Sequence, residues 1–374
     1  MPHNVHVDHV GSLLRPAALF EQRQRLLGVH DADTNLGPHK NDELTELEDG
    51  FVRDAVKMQE NCGLPIVTDG EFRRRSWWTD FILSLTGTHI TYVSKLPVSF
   101  INAAGEKRPA PGIAIRDKVE WQESCNVRPF EFLKSVAKAS PKISLPGPPI
   151  VHFMREGNFV PDVYRSLEEF WEDIIAAWRA EIDALAKAGC WHIQIDECML
   201  AWLCDPRHQQ FAKDRGEDAR DLAQTYCRVI DAAISARPKD MTAAIHSCRG
   251  NMNSFWGAEG SYDYVAELMF NEIGADMYLL EYDTPRAGDF SPLTFVPKGK
   301  KVLLGLVSTK DARLETRDEL KQRVEEASQF MNGDALGLCP QCGFSTNVFG
   351  TGFTEDDERR KLDLLVETAD RIWG

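Results

Sequence analysis

Short apolar runs, each stopping at polar residues or glycine, recur eight times along this chain of 374 residues. Their length and their β-branched residues are typical of buried strands. The runs cover residues 5–10, 64–68, 142–145, 191–195, 242–245, 277–280, 302–307 and 335–338. Between most of them, apolar residues recur at a spacing of three to four, which predicts helices over residues 167–189, 219–236, 262–273, 316–331 and 355–372.

The alternation of strands with helices predicts the fold class. Strands joined through helices run parallel, and eight such units are typical of a closed (β/α)8 barrel. We therefore predict an α/β protein in which residues 1–374 form a single (β/α)8 or TIM barrel. An open doubly wound sheet is the rival architecture, but no glycine-rich phosphate-binding fingerprint follows any of the runs.

Two stretches interrupt the alternation of predicted strands and helices. Residues 28–40, rich in Gly, His, Asp and Pro, predict a surface loop. Residues 90–121 contain Pro97, Pro109 and Pro111 and predict a hairpin excursion after the second strand. Insertions of this kind on a barrel commonly cover a binding site.

Charge and cysteine content narrow the range of partners and compartments. The formal net charge is -15 and the pI about 5.2, which argues against nucleic acid or an anionic membrane as partner. Nine cysteines without disulfide-like spacing indicate reduced thiols. The chain start does not resemble a signal peptide, and no apolar run reaches 18 residues. We predict a cytoplasmic protein and leave open whether it forms a homo-oligomer.

Four potential metal ligands lie at or just after strand ends. His246 and Cys248 form a His-x-Cys after the fifth run, Glu281 closes the sixth, and Cys342 follows the eighth. Imidazole, thiolate and carboxylate in this number suit tetrahedral zinc, and residues two apart on a strand point to the same side. A buried His and Cys that never meet a metal are the alternative interpretation.

Further polar residues end other strands, and a barrel gathers such residues on one face. These are His9 and Ser12 at the end of the first strand, Asp69 and Glu71 after the second, Asp196 and Glu197 after the fourth, and Asp283 after the sixth. Trp77 and Trp78 follow Glu71 closely and are candidates for a flat wall against a planar ligand, with simple packing as the alternative.

Eight short segments together resemble the catalytic C-terminal barrel of the cobalamin-independent methionine synthase family. They are VGSLLRP, TDGEFRR, LPGPP, IQIDE, IHSCRGN, LLEYD, GLVSTK and CPQCG, and the likeness runs from about residue 10 to the C-terminus. The resemblance implies a barrel of the type shared with uroporphyrinogen decarboxylase. It also implies a catalytic zinc ion (Zn2+) held by His246, Cys248, Glu281 and Cys342.

The same resemblance implies roles for other residues. Ser12 would contact an amino-acid substrate, and Glu71 and Asp196 would grip the ammonium group of homocysteine. A helix cap for Ser12 and ordinary strand-end positions for the two carboxylates are the alternatives. His9, next to the Gly11–Ser12 strand end, is a further candidate for substrate binding. Cys339 and Cys342 form a CxxC, which a redox pair or half of a zinc knuckle would also explain; the family pattern uses only Cys342.

The activity implied is zinc-dependent S-methyl transfer to homocysteine, giving methionine. A free thiol with a pKa near 8.5 is only about 3% thiolate at pH 7, whereas zinc deprotonates it. Glu281 would be the ligand that the substrate thiolate displaces. The family's proton-donating histidine is missing from residues 305–310, so Lys310 or Asp311 would have to replace it.

The family's second, N-terminal barrel, which helps bind a polyglutamylated folate, has no counterpart here. We therefore expect a donor other than a folate polyglutamate, such as a methylcorrinoid or a small alkyl compound, and leave a simpler methylfolate open. An enzyme like the zinc-dependent epoxyalkane:coenzyme M transferase is the alternative within this chemistry. Two alternatives lie outside thiol alkylation: a uroporphyrinogen decarboxylase-like enzyme, and a binding protein with structural zinc.

Overall fold

A computed structural model describes residues 5–28, 39–91, 94–160, 162–346, 352 and 354–374. The strands are β1 Ile66–Val67, β2 Thr88–Thr91, β3 Ser99–Ile101, β4 Lys107–Pro109, β5 Gly112–Ile115, β6 Ser140–Pro141, β7 Ile143–Pro146, β8 His192–Asp196, β9 Thr242–Ser247, β10 Met277–Glu281, β11 Lys301–Val307 and β12 Leu336–Pro340. Most of the predicted loop over residues 28–40 lies outside the described residues.

Helices alternate with the strands, and polar caps fix several of their starts. The helices are α1 Ala17–Leu27, α2 Asp42–Asn61, α3 Thr79–Ser84, α4 Val127–Val136, α5 Pro149–Phe153, α6 Leu167–Lys187, α7 Met199–Trp202, α8 Pro206–Asp214, α9 Ala219–Ile234, α10 Ala266–Glu272, α11 Arg317–Ala327 and α12 Glu355–Trp373. Thr316 and Glu319 form a capping box at the start of α11. None of the helices in the described ranges is both long and apolar enough to cross a bilayer.

The fold is the predicted α/β barrel. Strands β7 to β12 form a parallel six-stranded sheet in chain order, and β6, directly before β7, pairs in parallel with β1. Residues 5–10 return to β12 through a parallel bridge between Val7 and Leu338. Next to β1, Leu13 N donates to Gly70 O at 3.0 Å. The ring therefore follows the chain order expected of a (β/α)8 barrel.

The prediction of a regular first strand is wrong. Residues 5–10 are extended but make a single bridge rather than a ladder, since interior side chains occupy part of their backbone. Lys142 Nζ donates to His9 O at 2.5 Å, and Gln194 Nε2 donates to Val10 O at 2.5 Å. The predicted helix over 262–273 is also interrupted: a 3-10 turn, Tyr262–Tyr264, precedes α10.

The hairpin excursion is confirmed. Strands β2 and β5 form an antiparallel pair, and β3 and β4 form a second one. Ile101 exchanges two backbone hydrogen bonds of 2.8 Å with Trp256, in the segment after β9. We call β3, β4 and their connection the cap hairpin (residues 99–109). It is thereby fixed over the carboxyl ends of the strands.

Buried apolar residues form two clusters in the barrel. The interior core contains Val5, Val10, Ile66, Ala244, Met277, Leu279, Leu303 and Cys339, and the larger core lies between strands and helices. Successive residues of a strand face opposite sides, so Leu279 points inward while its neighbours pack outward. All nine cysteines are free thiols.

Gly337 is expected to be intolerant of a side chain. An added Cβ would lie 2.2 Å from Leu303 Cδ2 and 2.7 Å from His6 O, where residues 5–10 cross β12. Gly337→Ala should therefore lower the free energy of unfolding by about 1–3 kcal/mol, measured by thermal denaturation. The control is Gly50→Ala within α2, where nothing lies within 4 Å. It should stabilise the protein slightly; equal destabilisation by both changes would contradict this packing.

Candidate functional site

The carboxyl ends of the strands surround a cavity of about 520 Å3, a size that suits a small-molecule site. Eight predicted site residues line it: Ser12, Glu71, Trp77, Trp78, Asp196, His246, Cys248 and Cys342. The other four, His9, Glu281, Lys310 and Asp311, are not in its wall. The structure therefore brings together most of the predicted residues but not all of them.

Three of the predicted metal ligands form a compact group. His246 lies near the end of β9, Cys248 directly after that strand, and Cys342 two residues after β12. Their ligand atoms all lie within 4.8 Å of one another and are buried. The sulfurs of Cys248 and Cys342 are 3.6 Å apart. Two sulfurs bound to one tetrahedral zinc at about 2.3 Å would be about 3.8 Å apart, so this spacing fits the metal.

The orientation of His246 also fits a metal. Its Nδ1 lies 3.1 Å from Leu279 O, so that nitrogen carries the proton and donates. Its Nε2 is buried and has no hydrogen-bond partner within the described part of the chain. A carbonyl on one ring nitrogen and an open second nitrogen are typical of metal-binding histidines. Zinc would satisfy the buried nitrogen that is otherwise left unpaired.

Electrostatics favour negative charge on Cys248. Hydrogen bonds from the Cys198 and Cys342 thiols, together with nearby His246, lower the pKa of Cys248 well below its usual value. Gly250 N also donates to Cys248 Sγ at 3.4 Å. Burial alone would lower the pKa of His246, but Cys248, Asp196 and the Leu279 carbonyl together raise it. Cys248 is therefore favoured as a thiolate, which can bind a metal cation.

Cys198 is a site residue that sequence reasoning missed. Its sulfur lies 3.6 Å from Cys248 Sγ and it lines the cavity, although it was not among the predicted site residues. Cysteine spacing gives no indication of this contact. Its position directly after Asp196 and Glu197, at the end of β8, is a signal that could have identified it.

Glu281 is not in the group of three donors. Its Oε1 lies 3.1 Å from Lys310 Nζ, and its Oε2 accepts from Arg249 N at 2.5 Å. Lys310 also lies 3.7 Å from Asp283, so two buried carboxylates share one cation. A buried carboxylate needs such a partner, which explains why Glu281 turns away from the thiols. Its assignment as fourth ligand stays a prediction.

Asp311 and His9 are placed away from the cavity. Asp311 is exposed, and its carboxylate accepts from Arg313 N at 3.0 Å, so the structure does not support it as a proton donor. His9 is buried below the cavity, and burial lowers its pKa to about 3, which keeps the ring neutral. The structure does not bring it to the substrate position predicted for it.

Glu71 is held in an unusual conformation. Its φ of 59° lies in the left-handed region, which non-glycine residues rarely adopt and which is often found at functional sites. One oxygen, Oε1, accepts from Ser144 Oγ at 2.8 Å, whereas the buried Oε2 has no partner among the described residues. Gly11 leaves room for this carboxylate, because a Cβ there would approach Oε1 to 3.3 Å.

Asp196 is the second carboxylate of the cavity wall. Gln194 Nε2 donates to its Oδ1 at 2.6 Å. Burial is the main cause that raises its pKa, to about 7, and the neighbouring Glu71 contributes in the same direction. Arg74 Nη1 lies 3.5 Å from Glu71 Oε1, and a second cationic group would be favoured between the remaining oxygens of the two carboxylates. Ser12 also belongs to this wall and packs closely on Gly343, where a Cβ would lie 2.0 Å from Ser12 Oγ.

Aromatic and cap-hairpin residues also contribute to the wall. The ring centroids of Trp77 and Trp78 are 6.4 Å apart. Phe100 and Arg108 of the cap hairpin also line the cavity, and the Arg108 guanidinium lies 4.2 Å from the centre of the Phe255 ring. The cavity wall thus combines the buried histidine, cysteines and carboxylates with aromatic residues and part of the cap hairpin.

Comparisons with known proteins agree with this geometry. The family described as cobalamin-independent synthase, catalytic domain, matches residues 31–370. The uncharacterized protein YxjH of Bacillus subtilis is 33% identical over 98% of this chain and 94% of its own. A methionine synthase of Saccharolobus solfataricus is 25% identical over 89% of this chain and 86% of its own. The crystal structure of a putative vitamin-B12-independent methionine synthase from Listeria monocytogenes superposes with a TM-score of 0.71 at 27% identity, covering 98% of this chain and 97% of that one.

Proposed function

The chain belongs to the cobalamin-independent methionine synthase family, and from that premise we propose that it is a zinc-dependent S-methyltransferase that converts homocysteine to methionine. The observation that carries the proposal is the buried group of His246, Cys248 and Cys342, in which the His246 Nε2 has no hydrogen-bond partner among the described residues. These residues would hold the zinc ion. Glu281 is our candidate for the fourth ligand, and in that role it would give up its contact with Lys310.

Zinc, when bound, would supply thiol deprotonation, since a free thiol is only about 3% ionised at pH 7. The chain's own residues would bind and orient the substrate. Glu71 and Asp196 offer carboxylate oxygens to an ammonium group, and Ser12 lies in the same wall. Trp77 and Trp78, which line the same cavity, would present flat faces to a methyl donor. Lys310 is our candidate for the proton donor, and in that role it would have to leave Glu281, because it does not line the cavity in this structure.

The two carboxylates favour an amino-acid thiol over other acceptors. Coenzyme M, the acceptor in the epoxyalkane alternative, carries a sulfonate but no ammonium group, so it would offer Glu71 and Asp196 no cationic partner. An ammonium group placed there would instead gain two charge-assisted hydrogen bonds. The acceptor we propose is therefore homocysteine, and the donor is a methylfolate or a methylcorrinoid.

The test is product formation with defined donors. The zinc-loaded protein is incubated with homocysteine and, separately, methyltetrahydrofolate or methylcobalamin, and methionine is measured by mass spectrometry. We expect methionine with one of these donors, its loss after chelation, and its recovery on adding zinc. A thioether formed only from coenzyme M and an epoxide would replace our proposal with the alternative. Absence of product with every pair would refute both.

A further inference from the structure

A chain of buried polar side chains lies beneath the cavity and ends at Asp196. Lys142 Nζ donates to Asp8 Oδ2 at 2.7 Å, to His9 O at 2.5 Å and to Gln194 Oε1 at 2.9 Å. Lys142, Asp8 and Gln194 are fully buried, and none of them lines the cavity. An ammonium group has three N–H donors, so Lys142 is fully engaged by these three acceptors.

This arrangement fixes the orientation of the Gln194 amide. An ammonium can only donate, so the Gln194 atom that faces Lys142 must be its oxygen. The amide nitrogen therefore faces the other way, where it donates to Val10 O at 2.5 Å and to Asp196 Oδ1 at 2.6 Å. Both amide protons are used, and a flipped amide would place NH2 against the Lys142 ammonium.

The same hydrogen bond determines what Asp196 presents to the cavity. Its Oδ1 is occupied by Gln194, and no other hydrogen bond to its side chain is made within the described ranges. The second oxygen, Oδ2, is not among the buried atoms that lack a partner there. Since Asp196 lines the cavity, that oxygen is the one left for a ligand.

We propose that Gln194, held by Lys142, is a positioning residue that commits one oxygen of Asp196 and leaves the other to the ammonium group of the substrate. This inference rests on the proposed function, because it assumes an amino-acid thiol in the cavity. Gln194 then contributes to the choice of acceptor without touching it. Its effect should be confined to ligands that carry the ammonium group.

The experiment measures binding rather than turnover. Homocysteine and its analogue without the amino group, 4-mercaptobutanoate, are titrated calorimetrically into the zinc-loaded protein without a methyl donor. Wild type should prefer homocysteine. Gln194→Met should weaken homocysteine binding about tenfold, the effect of one lost hydrogen bond, and should leave the analogue unchanged. Gln194→Glu keeps an acceptor for Lys142 but removes the donor to Asp196. It should therefore weaken homocysteine binding in the same way, and it keeps the test open if the Met variant does not fold.

A double-mutant cycle separates positioning from general damage. In an Asp196→Asn background, Gln194→Met should have little further effect on homocysteine binding, since its action passes through the missing carboxylate. Glu197→Gln, next to Asp196 but outside the cavity wall, serves as the unchanged control. Equal weakening of both thiols, or an unchanged preference in both Gln194 variants, would overturn the inference alone. Failure of the wild type to bind either thiol would instead count against the proposed function.

Discussion

Cys342→Ser is expected to release most of the zinc and to abolish methionine formation. The Cys342 sulfur lies 3.6 Å from that of Cys248, and both are buried against His246, so its loss leaves two of the three compact donors. Without zinc, the substrate thiol would be only about 3% ionised at pH 7, which alone lowers the rate about 30-fold. Zinc per protein is measured by atomic emission, and methionine by mass spectrometry.

The matched control is Cys339→Ser, three residues earlier in the chain. Cys339 belongs to the interior core, and its sulfur is 3.5 Å from Leu303 O rather than near the three donors. This variant should lose some stability but keep its zinc. If Cys342→Ser retained full zinc and activity, or if Cys339→Ser lost them equally, the assignment of the ligands would be wrong.

Asp196→Asn is expected to weaken homocysteine binding with little effect on zinc content. The change keeps an oxygen for Gln194 Nε2, so the local hydrogen bond survives, but it removes the charge that would meet the ammonium group. A charge-assisted hydrogen bond contributes about 1.5–3 kcal/mol, so KM for homocysteine should rise roughly 10- to 100-fold. The value of kcat should change much less, and steady-state kinetics separate the two.

Glu197→Gln provides the comparison at the neighbouring position. Burial raises the pKa of Glu197 to about 8, so it is mostly protonated at neutral pH and glutamine resembles its normal state. Its Oε1 accepts from Leu200 N at 3.0 Å, and its side chain is not part of the cavity wall. A similar rise in KM for this variant would show that Asp196 acts through packing rather than by contacting the ammonium group of homocysteine.

The barrel could be predicted because its signal is repeated eight times and each repeat depends on local periodicity. Residues 5–10 are the exception, because Lys142 and Gln194, far along the chain, occupy two of their carbonyls. Side-chain contacts over such separations leave no trace in local periodicity. The stretch therefore looks like a strand in the sequence but forms only one bridge.

The site could be predicted as a set of residue types at strand ends but not as a set of contacts. The barrel brings His246, Cys248 and Cys342 together as expected, because they follow strands whose ends meet. The position of Glu281 depends on competition between Lys310 and the thiols, which is an electrostatic balance of buried charges. Cys198 was missed because the only sequence feature that pointed to it was its position directly after Asp196 and Glu197 at the end of β8.

The attachment of the cap hairpin to the segment after β9 has a kinetic consequence. The group of His246, Cys248 and Cys342 is buried, whereas Trp77 and the cap hairpin, which line the same cavity, are more exposed. A bulky donor resting on that aromatic wall would block the route of any later thiol. Turnover should therefore be sequential and ordered, with the acceptor entering first and the spent donor departing before methionine. In product-inhibition experiments, methionine would then compete with homocysteine and not with the donor.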